Sequence, residues 1–106
     1  MVILTNISFG KKNLYEAERS IKEIFPVPGY MIMMGPYIKS VESGGDIQAI
    51  NLFEFDESRL AEARDFINDR MAAYHNLVRL TYSVDLWFDA KDVLKMIESK
   101  ERRMTT

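Results

Sequence analysis

The stretch 30–55, YMIMMGPYIKSVESGGDIQAINLFEF, decides the fold. A β-rich run from Tyr30 to Glu42 meets Ser43-Gly44-Gly45-Asp46 and turns back into Ile47–Phe55. Paired glycines supply the positive φ that a tight hairpin turn requires, so the two runs read as adjacent antiparallel strands. Gly35-Pro36 interrupts the first of them. Proline cannot donate to a ladder, so the pair predicts an edge position or a bulge.

Working outward, Val2–Phe9 alternates as Ile3, Thr5, Ile7, Phe9 against Val2, Leu4, Asn6, Ser8, the period of a strand buried on at least one face. Asn13 and Glu16 then resemble a capping box, and Leu14, Ala17, Ile21 and Phe25 share one helical face before Pro26-Val27-Pro28-Gly29 stops the pattern. After the hairpin, Asp56 and Ser58 are candidate N-caps for a helix over about Glu57–His75. Its apolar face is Leu60, Ala63, Ile67, Met71 and Tyr74, with Arg59, Glu62, Asp65, Asp69 and Arg70 largely elsewhere. Asn76 is its expected stop. The last strand, Leu77–Trp87, places Val78, Leu80, Tyr82, Val84 and Leu86 on one side and Arg79, Thr81, Ser83, Asp85 and Trp87 on the other. Asp89 can cap a short final helix carrying Val93, Leu94 and Ile97, and the polar segment 99–106 is expected to fray.

The resulting order is β-α-β-β-α-β plus a short C-terminal helix: an α+β antiparallel sheet with helices on one face, in a single domain over residues 1–98. The expected strand order is 4-1-3-2, with Val2–Phe9 central. A four-stranded sheet covered on one side leaves its other face bare, so a homodimer through the sheet face or an edge strand is expected.

Composition removes several classes of function. The chain has 106 residues, 47% hydrophobic and 28% charged, the balance of a folded domain rather than a disordered one. A net charge of −2, with no basic stripe, argues against a sequence-independent nucleic-acid binder. There is no cysteine, hence no disulfide and no thiolate chemistry. No apolar run approaches the roughly 18 residues that cross a bilayer, and Met1-Val2-Ile3-Leu4 lacks the basic region of a secretory signal, so a soluble, cytoplasmic protein is expected. Glu62 and Asp65 alone are too few to form a metal site. Gly44-Gly45 lacks the Lys-Ser/Thr of a phosphate loop.

The order of elements resembles the ferredoxin-like βαββαβ fold, and in detail its dimeric α+β barrel branch. The resemblance is carried by Pro28-Gly29-Tyr30 leading into the hairpin, by Ile50-Asn51-Leu52-Phe53-Glu54-Phe55-Asp56 running into a long helix, and by Asp85-Leu86-Trp87. Met34-Gly35-Pro36-Tyr37-Ile38-Lys39 and the tract Val84–Ile97 also resemble small bacterial members of that branch with no assigned function. The resemblance implies two sheets packed face to face across a two-fold axis, with small pockets between sheet and helices. The superfamily spans cofactor-independent monooxygenases, isomerase-like enzymes, haem-degrading enzymes and effector-binding domains. Haem-degrading members use a pocket histidine as iron ligand. The sole histidine here, His75, stands outside any matching motif, and no cofactor is expected.

The residues able to contact a ligand are few. His75 is the only histidine, the residue type best suited to move a proton under mild conditions. Arg79 and Asp85 share the polar side of the last strand and suit an anionic or carbonyl group and a proton, respectively. Tyr37 and Trp87 offer aromatic walls with a polar handle. The expected function is a non-enzymatic homodimeric module that binds a small hydrophobic or aromatic ligand or a protein partner. The alternative is a small cofactor-independent enzyme, monooxygenase- or isomerase-like, acting on such a molecule.

Overall fold

The computed structural model describes residues 1–13, 15, 19, 26–40, 46–77 and 80–104. Four strands form one antiparallel sheet: β1 (Val2–Phe9), β2 (Met31–Ser40), β3 (Ile47–Phe55) and β4 (Leu80–Trp87). Their order is β2-β3-β1-β4, which is the expected 4-1-3-2 seen from the other edge. Among the described residues two helices can be followed end to end, α1 (Leu60–Leu77) and α2 (Ala90–Met104). Tyr15 and Arg19 are helical, while the rest of the helix expected over 14–25, and the hairpin residues 41–45, lie outside the described residues.

Register explains the core. β1 pairs Ile3 with Phe53 and Leu86, Ile7 with Ala49 and Tyr82, and Phe9 with Ile47 and Leu80. Directly opposed residues share a face, so these side chains meet on one side of the sheet. There α1 lays down Ala63, Ile67, Met71 and Tyr74, all buried. The apolar alternation of β4 is not matched by its burial. Leu80 is buried, but Tyr82 and Val84 remain 44% and 37% exposed.

Element ends differ from the sequence expectation for physical reasons. The helix expected from Glu57 opens as a 3-10 turn, Glu57–Arg59, and becomes α-helical at Leu60. Asp56 makes no side-chain cap bond; its carboxylate instead accepts the Ser58 hydroxyl, which holds the Asp56 pKa below its ordinary value. At the other end α1 runs through Asn76 to Leu77 and β4 begins at Leu80, with residues 78–79 outside the description. The final helix is 15 residues, not short, and continues to Met104 through the segment expected to fray. Lys, Glu and Arg lose little rotamer freedom in a helix, so a polar tail without apolar periodicity can still be helical. Its start is secured as expected: the Asp92 N–H donates to the Asp89 carboxylate at 2.8 Å, which lowers the Asp89 pKa.

Arg70 requires the largest correction. Read as polar-face, it is 3% exposed. It lies three residues beyond Ile67 and four before Tyr74, on the buried stripe. Its guanidinium sits 5.7 Å from the Phe53 ring and 5.6 Å from the Tyr74 ring, and its Nη2 donates to Tyr74 Oη at 3.4 Å.

The Gly35-Pro36 pair marks both features expected of it. β2 is an edge strand, and its register with β3 shifts between Met34 and Tyr37. Gly35 has φ +112°, and a Cβ there would lie 2.8 Å from the Ile50 carbonyl oxygen and 3.1 Å from Asn51 Oδ1. Only glycine fits both the dihedral and the close approach. Gly35→Ala should therefore cost about 2–3 kcal/mol in urea unfolding. A loss within error of zero would mean that β2 adapts freely at its bulge.

Candidate functional site

The register lays out the face of the sheet opposite α1 as four rows. From β2 to β4 they read Ile32-Glu54-Val2-Trp87, Met34-Leu52-Leu4-Asp85, Tyr37-Ile50-Asn6-Ser83 and Lys39-Gln48-Ser8-Thr81. One end of this face is apolar and the other polar. Asn6 and Ser8 stand beside Ser83 and Thr81. Val2, Leu4, Ile50 and Leu52 are only half-buried, and at the edges Ile32, Tyr37 and Trp87 are 63%, 58% and 57% exposed.

Three of the five candidate ligand residues, Tyr37, Asp85 and Trp87, share this open face. Asp85 and Trp87 are neighbours on β4. Tyr37 stands on the opposite edge, three strand spacings or about 14 Å away. One small pocket within a single chain cannot use both groups. Arg79 lies outside the described residues. His75 is separated from the others: it closes α1, its ring meets Tyr82 edge-on at 6.3 Å, and Tyr82 belongs to the α1 side of the sheet.

His75 has a defined tautomer. Its Nδ1 lies 3.2 Å from the Leu80 carbonyl oxygen, and a carbonyl only accepts, so Nδ1 carries the hydrogen. In the neutral ring Nε2 is then the acceptor. His75 lines an open cavity of about 450 Å³ with Ser8, Asn13, Asp46 and Thr81, floored by Phe9 and Leu80. Behind that floor lies an inner void of about 20 Å³, walled by Ile7, Met33, Pro36, Ala49, Asn51 and Tyr74. About 10–15 Å³ on this measure accommodates one water, so the void admits a water and no organic molecule.

Sequence reading set Thr5 in line with Ile3, Ile7 and Phe9 but singled out neither it nor Asn51 as a polar group beside that void. Thr5 and Asn51 are cross-strand partners, 0% and 4% exposed, and among the described residues Thr5 Oγ1 and Asn51 Oδ1 have no hydrogen-bond partner. Alternation alone could have found them, since each falls between two inward apolar residues. Tyr74 faces the same void, and burial raises its pKa.

The end of the sheet near Met1 gathers a different set of groups. The N-terminal amine donates to the Phe55 carbonyl at 3.2 Å and pairs with Asp92 at 3.5 Å. Glu54, Asp56, Glu57 and Asp89 line an open cavity around it. Among the described residues no group of three or more His, Asp or Glu side chains is arranged to hold a metal ion, and no helix is long and apolar enough to cross a membrane. Comparison with protein-family models, curated proteins and solved structures finds no match.

The histidine geometry can be checked directly. Long-range ¹⁵N–¹H spectra of the neutral ring should show the Nδ1–H tautomer in excess. A dominant Nε2–H form would remove the Leu80 bond and with it the acceptor assigned to this cavity.

Proposed function

We propose that this chain is a homodimeric, non-enzymatic α+β module of the ferredoxin-like kind, related in assembly to dimeric α+β barrels. Its open sheet face packs on the same face of a second copy, and the dimer binds a small organic ligand or a protein partner. The observation that carries this reading is the apolar half of the open face. Val2, Leu4, Met34, Ile50 and Leu52 are adjacent in space, have no helix over them among the described elements, and are framed by exposed Ile32, Tyr37 and Trp87. Contiguous apolar surface of this extent on a soluble chain marks an interaction site. The strand order supports the ferredoxin-like assignment. The volume of the inner void argues against a ligand inside the helix–sheet core and directs binding to surfaces and grooves.

A second reading, a small cofactor-independent enzyme, is favoured by one observation: His75 presents Nε2 as an acceptor over a cavity of about 450 Å³. It requires a hydrophobic or aromatic molecule retained by the protein from its source cell and visible in native mass spectrometry.

Light scattering tests the module. The parent should approach twice 12.3 kDa at micromolar concentration. Emission from its single tryptophan, Trp87, should shift to the blue as the open face is covered. Ile32→Lys/Tyr37→Lys changes two exposed positions, so the monomer should stay folded while the dimer dissociation constant rises at least tenfold. A parent that remains at 12.3 kDa into the millimolar range overturns the proposal.

A further inference from the structure

Helix α2 is amphipathic. At 3.6 residues per turn Ala90, Val93, Leu94 and Ile97 fall on one stripe, with Asp92, Lys95 and Ser99 on the opposite side. That stripe is uncovered: Val93, Leu94 and Ile97 are 41%, 57% and 48% exposed. Of the side chains described from Ala90 to Glu101, Asp92 alone is not exposed. The first turn is nonetheless secured, by the Asp89 cap and by the ion pair between Asp92 and the N-terminal amine. The helix is therefore an arm, held at its root and bare along its apolar side. A helix of 15 residues is marginal in water on its own and derives its stability from burying an apolar face.

We infer that α2 is an exchanged arm whose Val93–Leu94–Ile97 stripe docks on a second copy of this chain, at the margin of the sheet-face contact. The inference rests on the homodimer proposed above and adds a second element to its interface. Area identifies the occupant. Four strands about 4.8 Å apart and eight residues long at about 3.3 Å present a face of about 500 Å². Specific interfaces bury about 800 Å² per partner, so the sheet face alone falls short. An arm about 22 Å long and about 10 Å wide covers about 200 Å², and in a two-fold dimer each copy both gives and receives one. Together these reach the size of a stable contact. Position agrees, because exposed Trp87 and Phe88 carry apolar surface from the open face to the root of the arm. Charge agrees as well: α2 has five basic and three acidic residues, against nine and thirteen in the rest of the chain, so arm and body attract.

The test reads dimer dissociation of the full chain by light scattering and Trp87 emission, with far-UV circular dichroism to verify the helix. Leu94→Glu and Ile97→Glu retain a helix former at exposed positions, and each should raise the dimer dissociation constant at least tenfold. Met96→Glu, on the same helix but off the stripe, should leave it unchanged. If Ile32→Lys/Tyr37→Lys separates the dimer while Leu94→Glu and Ile97→Glu associate like the parent, the arm is wrong and the sheet-face dimer stands. If Met96→Glu weakens association as much as the other two, docking through this stripe is overturned. A parent that stays monomeric at every concentration removes the sheet-face dimer and the arm with it.

Discussion

Everything in this structure depends on the register of β1. It lies between two antiparallel partners through its whole length, with Val2 opposite Glu54 and Trp87 at one end and Phe9 opposite Ile47 and Leu80 at the other. Side chains alternate with a period of two, so a slip of one residue would carry Ile3, Ile7 and Phe9 to the open side and bring Val2, Leu4, Asn6 and Ser8 under α1. That alternative would bury an amide and a hydroxyl without assigned partners. The hydrophobic term thus sets the pairing of β1, and β1 sets which side of β3 and β4 faces the helix.

The buried polar residues are consequences of that register. Thr5 and Asn51 occupy inward positions and cannot turn outward without dragging their apolar neighbours with them. Asn51 also sits against Gly35, where the absence of a side chain lets the bulged edge strand approach. The helix answers from above with Arg70, whose cation lies near two aromatic faces and the Met33 sulfur, 3.9 Å from Nη2. Cations near aromatic rings gain from the ring quadrupole, which offsets part of the cost of leaving water. One polar stripe therefore runs through an otherwise apolar core, from sheet to helix.

Most of the sheet was legible from the chain because strand signals are local. The alternation of β1 and β3, the stop at Pro26–Gly29 and the edge signature at Gly35-Pro36 each act within a few residues of themselves. What was not legible depends on distant partners. Arg70 looks like a surface residue by type, and only its spacing from Ile67 and Tyr74 places it inside. The exposure of Tyr82 and Val84 is invisible in their own alternation, because it depends on what packs over β4. The candidate site suffered most. Tyr37, Asp85 and Trp87 were chosen by chemistry, yet which sheet edge each occupies depends on strand order, and that separates Tyr37 from the other two. His75 was chosen as a ligand contact, and its bond to Leu80 shows a terminal histidine oriented by the next strand, a contact no helical periodicity encodes.

The two bare apolar surfaces follow from the same geometry. A four-stranded sheet has two faces, and α1 serves one of them. The chain has one further described helix that could serve the other, but α2 begins where β4 ends, with Asp89 as its cap and Met1 as its counter-ion, both at the margin of the sheet. The helix follows β4 after two residues, Phe88 and Asp89, with Asp89 as its cap, and its apolar stripe stays exposed, so both surfaces are bare in one chain. Under the dimer proposed above, the arm of a second copy would reach these surfaces from outside. The path of the chain, more than its composition, leaves the two apolar surfaces uncovered.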